Sequence, residues 1–465
     1  MCYPRGDDEA GKPEPLRAPL PGSSLSTGGM AAVIRRGTVG LFVFLLSVGG
    51  SPAAGQESSV ASLQTLAGSF FAELATIRGL PSSGSPPPIV IRSRGETRRY
   101  VEQELNRKYP VAQVEAARKA MVAWGLIPAD FDLRGFFLDL LAEQAAAYYD
   151  PLGKVMVLAD WLTPEQQQAA LLHELVHALQ DRDMSLDQFL APAPGRGDQL
   201  LARQALIEGE AVALTLEVIL KAQGLEIQQL PDLSSFQQLT AAQSVGPVFD
   251  RAPKFLREQL LFPYTQGVAF VHQFRRRQAW SAFGQLYRDP PRSTAQILHP
   301  AKFFDRREDP VPIALPDLRT TLPSTWRRAD EDELGEWALG VLLEAHLGEA
   351  AARSLTTGWR GDRYQVWEGG PGWLLVYRVI WETDQKAEAF AQAYAGVLES
   401  KHPALKGKAA KRSGSAWAWQ EGQQRFLVER RGLDVLVLEQ VPAVAAQRIR
   451  QEVWAASPIT PAPTR

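Results

Sequence analysis

Two histidines four residues apart, His173 and His177, have a spacing that suits metal chemistry. In a helix, four residues correspond to about 400° of rotation, so both imidazoles lie on one face and reach one ion at about 2.0–2.1 Å. Glu174 is offset from His173 by about 100°, so its carboxylate contacts a bound water instead of the ion. The motif His173-Glu-Leu-Val-His177 therefore predicts a zinc site with Glu174 as the general base.

A catalytic zinc also needs a third protein ligand and one open position. Glu208 and Glu210 lie in a strongly apolar segment, where an ionised carboxylate is costly unless it is paired or bound to a metal. They point about 200° apart on a helix, so only one of them is a ligand, and a salt bridge to Arg203 is the structural alternative. Gly209, which costs about 1 kcal/mol inside a helix, indicates the close approach of another backbone.

Two segments resemble the gluzincins, the metallopeptidases that hold zinc with two His and one Glu. His173-Glu-Leu-Val-His-Ala-Leu-Gln-Asp181 resembles the thermolysin-type active-site helix, including the Asp four residues past the second His. Ile207-Glu-Gly-Glu-Ala211 is similar to the Asn-Glu-Gly segment of the leukotriene hydrolase and aminopeptidase group, which implies Glu208 as the third ligand, with Glu210 as the alternative. The resemblance covers about residues 150–300 and lacks a Gly-x-Met-Glu-Asn motif, so aminopeptidase activity is not implied.

A third segment, Pro263-Tyr-Thr-Gln-Gly-Val-Ala-Phe270, is similar to the Tyr-Glu-Lys-Gly helix start of that second group. The resemblance implies that Tyr264 stabilises the oxyanion, and a phenol is a fixed donor of the kind such sites use. Thermolysin-like enzymes use a His for this task, which makes His299 the alternative. Without a catalytic role, Tyr264 would be a core or helix-entry tyrosine and His299 a structural loop histidine.

The helices that must position these residues have clear local signals. Thr163-Pro-Glu-Gln166 is a capping box with Pro at the first helical position, and predicts a helix that ends at about Asp181 to Asp183. A second helix is predicted from about Asp198 to Gln223, ended by Gly224.

The segment from Tyr148 to Leu158 contains a turn signal followed by an extended apolar run, which predicts a hairpin or edge strand. An edge strand there can pair with an extended substrate backbone. The substrate-binding residues predicted on this basis are Lys154, Val155, Met156, Val157 and Leu158.

The chain as a whole is predicted to be α+β, with a zincin-like, largely helical catalytic domain before a smaller α+β domain. The predicted order is an extension over 1–29, a signal peptide over 30–55, the catalytic domain over 56–310, a linker over 311–332, an accessory domain over 333–456 and a flexible tail over 457–465. The polar, Pro-rich linker predicts that the catalytic domain is separable.

The start of the chain predicts export. Arg35 and Arg36 precede an apolar stretch over Val39–Val48, which is shorter than the roughly 20 residues of a membrane span. Cleavage after about Gly55 would release a secreted or periplasmic protein without a stable membrane span, and an uncleaved signal anchor is the alternative. The only cysteine, Cys2, precedes this segment, so the mature protein forms no internal disulfide.

The nearly balanced charge of the sequence argues against nucleic acid as a partner. Lys and Arg number 50 against 52 Asp and Glu, so no basic field favours nucleic acid. The sequence therefore predicts an exported peptidase with one zinc, acting as an endopeptidase on peptides or proteins. An inactive zinc-binding scaffold and a zinc hydrolase of a non-peptide bond are the alternatives.

Overall fold

The structure is a computed structural model that describes residues 59–456, apart from 82–83, 109, 192, 244–245, 371, 407 and 409–410. The predicted extension over 1–29, signal peptide over 30–55 and tail over 457–465 lie outside the described residues. Within them the protein is α+β, which confirms the predicted class.

The first half is mainly helical and contains a three-stranded sheet. Its elements are α1 (Val60–Arg78), β1 (Ile89–Arg92), α2 (Arg94–Lys108), α3 (Val111–Trp124), α4 (Leu133–Gln144), β2 (Ala147–Asp150), β3 (Val155–Ala159), α5 (Pro164–Asp183), α6 (Leu186–Phe189), α7 (Gly197–Lys221), α8 (Ser234–Gln243), α9 (Pro247–Asp250), α10 (Lys254–Arg275), α11 (Gly284–Arg288), α12 (Thr294–Leu298) and α13 (Ala301–Phe304).

The two helices predicted to carry the chemistry form as their local signals require. The side chain of Thr163 accepts a hydrogen bond from the backbone of Gln166, whose side chain reaches back to the Thr163 amide, so the capping box at the start of α5 is confirmed. Helix α7 starts one residue before the predicted Asp198 and ends at Lys221, just short of Gly224. Both helices pack in one apolar core together with α1 and α10.

Helix α1 is long and apolar enough to cross a membrane by length and composition, and it alone passes that test in the described part of the chain. Its buried residues recur every three or four positions, which is the stripe of a helix packed on a protein core. The last of them, Arg78, is a buried cation whose partner is Glu210. Length and composition are therefore weak evidence that α1 spans a membrane.

The small sheet has the strand order β1-β3-β2. Strand β3 pairs in parallel with β1 and antiparallel with β2, so it is the central strand. The predicted hairpin is confirmed as β2–β3. The alternative of an edge strand over Lys154, Val155, Met156, Val157 and Leu158 is wrong, because the strand is paired on both sides from Met156 to Leu158. Lys154 lies in the hairpin turn, where its ammonium group pairs with the carboxylate of Asp181.

The second half is built on an antiparallel sheet of seven strands in the order β4-β5-β6-β10-β9-β8-β7. Its elements are β4 (Arg327–Asp332), α14 (Gly335–Leu347), α15 (Glu349–Thr356), β5 (Trp359–Gly369), β6 (Gly372–Trp381), α16 (Asp384–Lys401), β7 (Lys411–Ser413), β8 (Ala416–Glu421), β9 (Gln424–Arg431), β10 (Asp434–Pro442) and α17 (Ala443–Ala455). The predicted linker over 311–332 is corrected at 327–332, because this segment is a strand paired with β5.

Both faces of this sheet are buried, and successive residues of β6 enter different cores. Tyr377 and Val379 belong to the core that also contains α2, α3 and α4, whereas Val376 packs towards α17. Trp124 at the end of α3 makes edge-to-face contacts with Tyr377 and Tyr364, at centroid separations of 5.0 and 5.5 Å. The two halves of the chain therefore share a hydrophobic core.

Candidate metal centre

Helices α5 and α7 bring His173, His177 and Glu208 together, and these three residues could hold a metal ion. We call them the ligand group. The Nε2 atoms of His173 and His177 lie 3.5 and 3.3 Å from Oε2 of Glu208. One ligand atom from each residue can be chosen so that all three lie within 4.8 Å of one another. Among the described residues, this is the group of three or more candidate ligands that meets that distance.

The donor atoms fit a divalent metal. Both Nε2 atoms and Glu208 Oε2 are buried and have no hydrogen-bond partner among the described residues. A buried polar atom without a partner is costly, so three of them within 4.8 Å of one another form a group that could hold a shared metal ion. Two imidazole nitrogens and one carboxylate oxygen are a donor set that zinc accepts in catalytic sites.

The same groups are strongly coupled electrostatically. Burial disfavours the charged forms, but the attraction between His177 and Glu208 outweighs it, raising the pKa of the imidazole and lowering that of the carboxylate. Burial lowers the pKa of His173, which favours its neutral form. A metal that binds here must displace the proton from Nε2 of charged His177, so the affinity falls at low pH.

Glu210, the alternative third ligand, faces away from this group. Its carboxylate accepts hydrogen bonds from Arg78 Nε at 2.5 Å, from Gln180 Nε2 at 2.8 Å and from the Tyr287 hydroxyl. A carboxylate held by three donors is already compensated in its buried site. The structure thus corrects the alternative at Glu210, and Arg203, the suggested salt-bridge partner, donates to the Phe189 carbonyl instead.

Glu174 lies on α5 beside the ligand group and is fully buried. Its Oε2 accepts a hydrogen bond of 2.8 Å from the backbone amide of Tyr149 in β2, while its Oε1 has no partner among the described residues. Burial, reinforced by the Glu208 charge, raises the pKa of Glu174 to about 8. A carboxylate with one oxygen held and the other available can take up and release a proton near neutral pH.

Tyr264 reaches the group because α7 and α10 cross at two glycines. A Cβ atom on Gly209 would lie 2.2 Å from the carbonyl carbon of Gly267, so the two backbones touch at this point. The Tyr264 ring is buried with its centroid 6.3 Å from that of His173, and burial together with Glu208 and Glu174 raises its pKa well above the usual value. Tyr264 therefore remains a neutral hydrogen-bond donor beside the candidate metal ligands.

The surroundings of Tyr264 and His299 also correct two details. The helix that carries Tyr264 begins at Lys254, so this residue lies in the middle of a helix that includes Pro263. His299 is the C-cap residue that follows α12, and its Nε2 atom pairs with Oε1 of Glu336 at 2.6 Å. It lies with Glu336 in a separate pocket of about 580 Å³ and is not in the ligand group.

Sequence reasoning missed the residues that surround the ligands. Gln180, one turn after His177, bonds His177 Nδ1 through Oε1 at 2.8 Å. Its signal was available, because a buried glutamine on an apolar helix needs partners. Arg78 and the Tyr149 amide had no such signal, since both come from distant segments.

One comparison with known proteins finds a match. A family model described as a domain of unknown function, DUF8575, matches residues 321–450. This stretch contains all seven strands of the second sheet and most of its helices, and it excludes every residue of the ligand group. No curated protein and no solved structure matches the chain.

Proposed function

We propose that this protein is an exported zinc peptidase with a zincin-like catalytic region, which hydrolyses internal peptide bonds. The observation that carries the proposal is the set of three buried donor atoms without hydrogen-bond partners among the described residues, next to a carboxylate with one available oxygen. His173, His177 and Glu208 would hold the zinc ion, which when bound would supply an activated water and polarise the scissile carbonyl.

Glu174 moves the proton in this proposal. Its Oε2 is held by the Tyr149 amide, so Oε1 accepts the proton of the attacking water as the water oxygen bonds to the carbonyl carbon. The same atom then delivers that proton to the leaving nitrogen as the carbon–nitrogen bond breaks. The hydroxyl of Tyr264 donates a hydrogen bond to the oxyanion.

An inactive zinc scaffold is the main alternative, and Glu174 argues against it. A scaffold needs the three ligands alone, whereas a fully buried carboxylate with an oxygen left unpaired costs folding free energy. Such a cost is typical of groups kept for a reaction. A zinc hydrolase of another bond uses the same groups, so substrate must be found by experiment.

The test uses the full chain loaded with zinc and incubated with a mixed peptide library, with and without chelator, and read by mass spectrometry. We expect one zinc per chain and new peptide products that disappear with chelator. Glu174→Gln should keep the zinc and lower the hydrolysis rate by about 10²–10⁴-fold, since the amide cannot accept the proton. Glu165→Gln, at an exposed position in the first turn of the same helix, should leave the rate unchanged.

Each failure has a distinct meaning. A chain that retains no zinc would contradict the metal site itself. Zinc retention without any cleaved peptide would favour the scaffold or the non-peptide hydrolase. Equal product formation by the wild type and Glu174→Gln would show that Glu174 is not the base.

A further inference from the structure

A network of hydrogen bonds between buried side chains leads from His177 to Gln180, Glu210 and Arg78. We propose that Gln180 is a positioning residue that keeps Nδ1 of His177 protonated and directs Nε2 to the metal. Glu210 and Arg78 in turn hold Gln180 in place. The inference rests on the zinc site of the proposed function, and it assigns roles to three residues that bind no metal.

The orientation of the Gln180 amide follows from its acceptors. Its Nε2 donates to the Ile207 carbonyl at 2.9 Å and to the Glu210 carboxylate at 2.8 Å, which uses both of its hydrogens. The reversed amide would place its oxygen against these two acceptors in a buried site. Gln180 Oε1 therefore faces His177 Nδ1 at 2.8 Å and must accept its hydrogen.

The protonated Nδ1 determines what the other nitrogen can do. In a neutral imidazole only one nitrogen carries hydrogen, so a donor at Nδ1 leaves the lone pair of Nε2 free to bind a metal. Nε2 is the atom that lies 3.3 Å from Glu208 Oε2. Gln180 thus selects the tautomer and the ring orientation that the ligand group requires.

Arg78 is the last residue of this hydrogen-bond network and holds Glu210 in place. Its guanidinium pairs with Glu210 at 2.5 Å, donates to the Trp280 carbonyl at 2.9 Å and lies 5.0 Å over the Phe283 ring. These contacts hold the Glu210 carboxylate in the position where it accepts the hydrogen bond from Gln180. Because Arg78 ends α1, docking of that helix is coupled to the geometry of His177.

The first test compares two buried glutamines of α5. Gln180→Met keeps the size of the side chain and removes the acceptor of His177, so the zinc Kd in chelator competition should rise about 10–100-fold. Gln167→Met is the matched control, because Gln167 is buried on the same helix but donates to the Ala159 carbonyl. Its Kd should stay within about twofold of the wild type, even if its melting temperature falls.

The second test reads the proton directly. In the full chain labelled with ¹⁵N-histidine, His177 should give a slowly exchanging Nδ1–H resonance, assigned by its loss in His177→Gln. In Gln180→Met this proton should exchange with water at least about tenfold faster, and in Gln167→Met it should be unchanged. If the Gln180→Met variant does not fold, the presence or absence of the slowly exchanging Nδ1–H resonance in the wild type decides.

The outcomes separate this inference from the proposed function. A wild type without zinc would contradict the proposed function. The exchange rate of the Nδ1 proton in the metal-free wild type and in metal-free Gln180→Met would still decide the role of Gln180. A wild type with zinc whose Kd and Nδ1–H exchange are unaffected by Gln180→Met would overturn the inference alone. Absence of an Nδ1–H resonance from wild-type His177 would overturn it as well.

Discussion

Tyr264 and His299 are both candidates for the oxyanion donor, and their surroundings differ. Tyr264 is buried beside His173 and the Glu174 carboxylate, and burial raises its pKa well above the usual value, so it stays a donor. His299 is committed to Glu336 in another pocket. The geometry therefore favours the phenol.

We expect Tyr264→Phe to lower kcat for a validated peptide by about 10²–10³-fold, because one oxyanion donor is lost. Zinc content should stay at the wild-type value, since the phenol is not a ligand in this proposal. His299→Ala serves as the control and should change kcat less than about threefold. A larger loss at His299 than at Tyr264 would transfer the role to the histidine. Steady-state kinetics with zinc analysis decides between them.

At the scale of residues, the sequence predicts those site residues whose relative positions are set by a single helix. His173, Glu174 and His177 follow from the helical period, and the structure places them on one buried stretch of α5. Arg78 contacts Glu210 across 132 residues of sequence, and no periodic pattern reports such a contact. The groups that tune the site were therefore missed, although Gln180 lies within the same helix.

The crossing of α7 and α10 is the element-scale feature that assembles the site. Gly209 meets Gly267 backbone to backbone, which confirms the close approach indicated by a glycine inside a helix. This contact places Glu208 on one helix next to Tyr264 on the other. A bulkier residue at the crossing would force the helices apart.

Gly209→Ala should therefore destabilise the protein and weaken its zinc binding. The added Cβ would lie 2.2 Å from a backbone carbon of Gly267, and overpacking that forces the backbone to shift costs about 1–3 kcal/mol and occasionally more. Gly68→Ala in α1 is the control, because a Cβ there meets nothing within 4 Å. Removing that helical glycine should raise stability by about 0.5–1 kcal/mol. Urea unfolding and zinc titration measure both effects, and equal stability of the two variants would contradict the proposed crossing.

Elements with local signals were predicted more accurately than their arrangement. The capping box sets the start of α5 by contacts within four residues, and the turn signal after Tyr148 predicted the β2–β3 hairpin. The order β1-β3-β2 depends on a parallel pairing between strands more than 60 residues apart along the chain. Alternating or apolar runs reveal a strand but not its neighbours, so β3 was taken for an edge.

At the scale of the whole molecule, the two halves are joined by more than a linker. Lys401 of α16 pairs with Glu439 at 2.8 Å and donates to the Ala123 carbonyl at 3.1 Å. Lys119 of α3 pairs with Glu368 of β5 at 2.6 Å. The sequence offered a polar, Pro-rich boundary near residue 330, but it could not show that helices before the boundary pack on the sheet after it.

This shared core predicts that the first half does not fold alone. A chain of residues 56–330 would expose Trp124 and the apolar faces of α2, α3 and α4 that pack on β5 and β6. We expect it to be insoluble or to lack a cooperative melting transition, and to bind less than about a tenth of the zinc of the full chain. The full chain should unfold in one step, with fluorescence and zinc release following the same urea curve. A soluble 56–330 chain with wild-type zinc affinity would show instead that the sheet is an independent domain. In that case the linker would comprise residues 311–326, and strand Arg327–Asp332 would belong to the second domain.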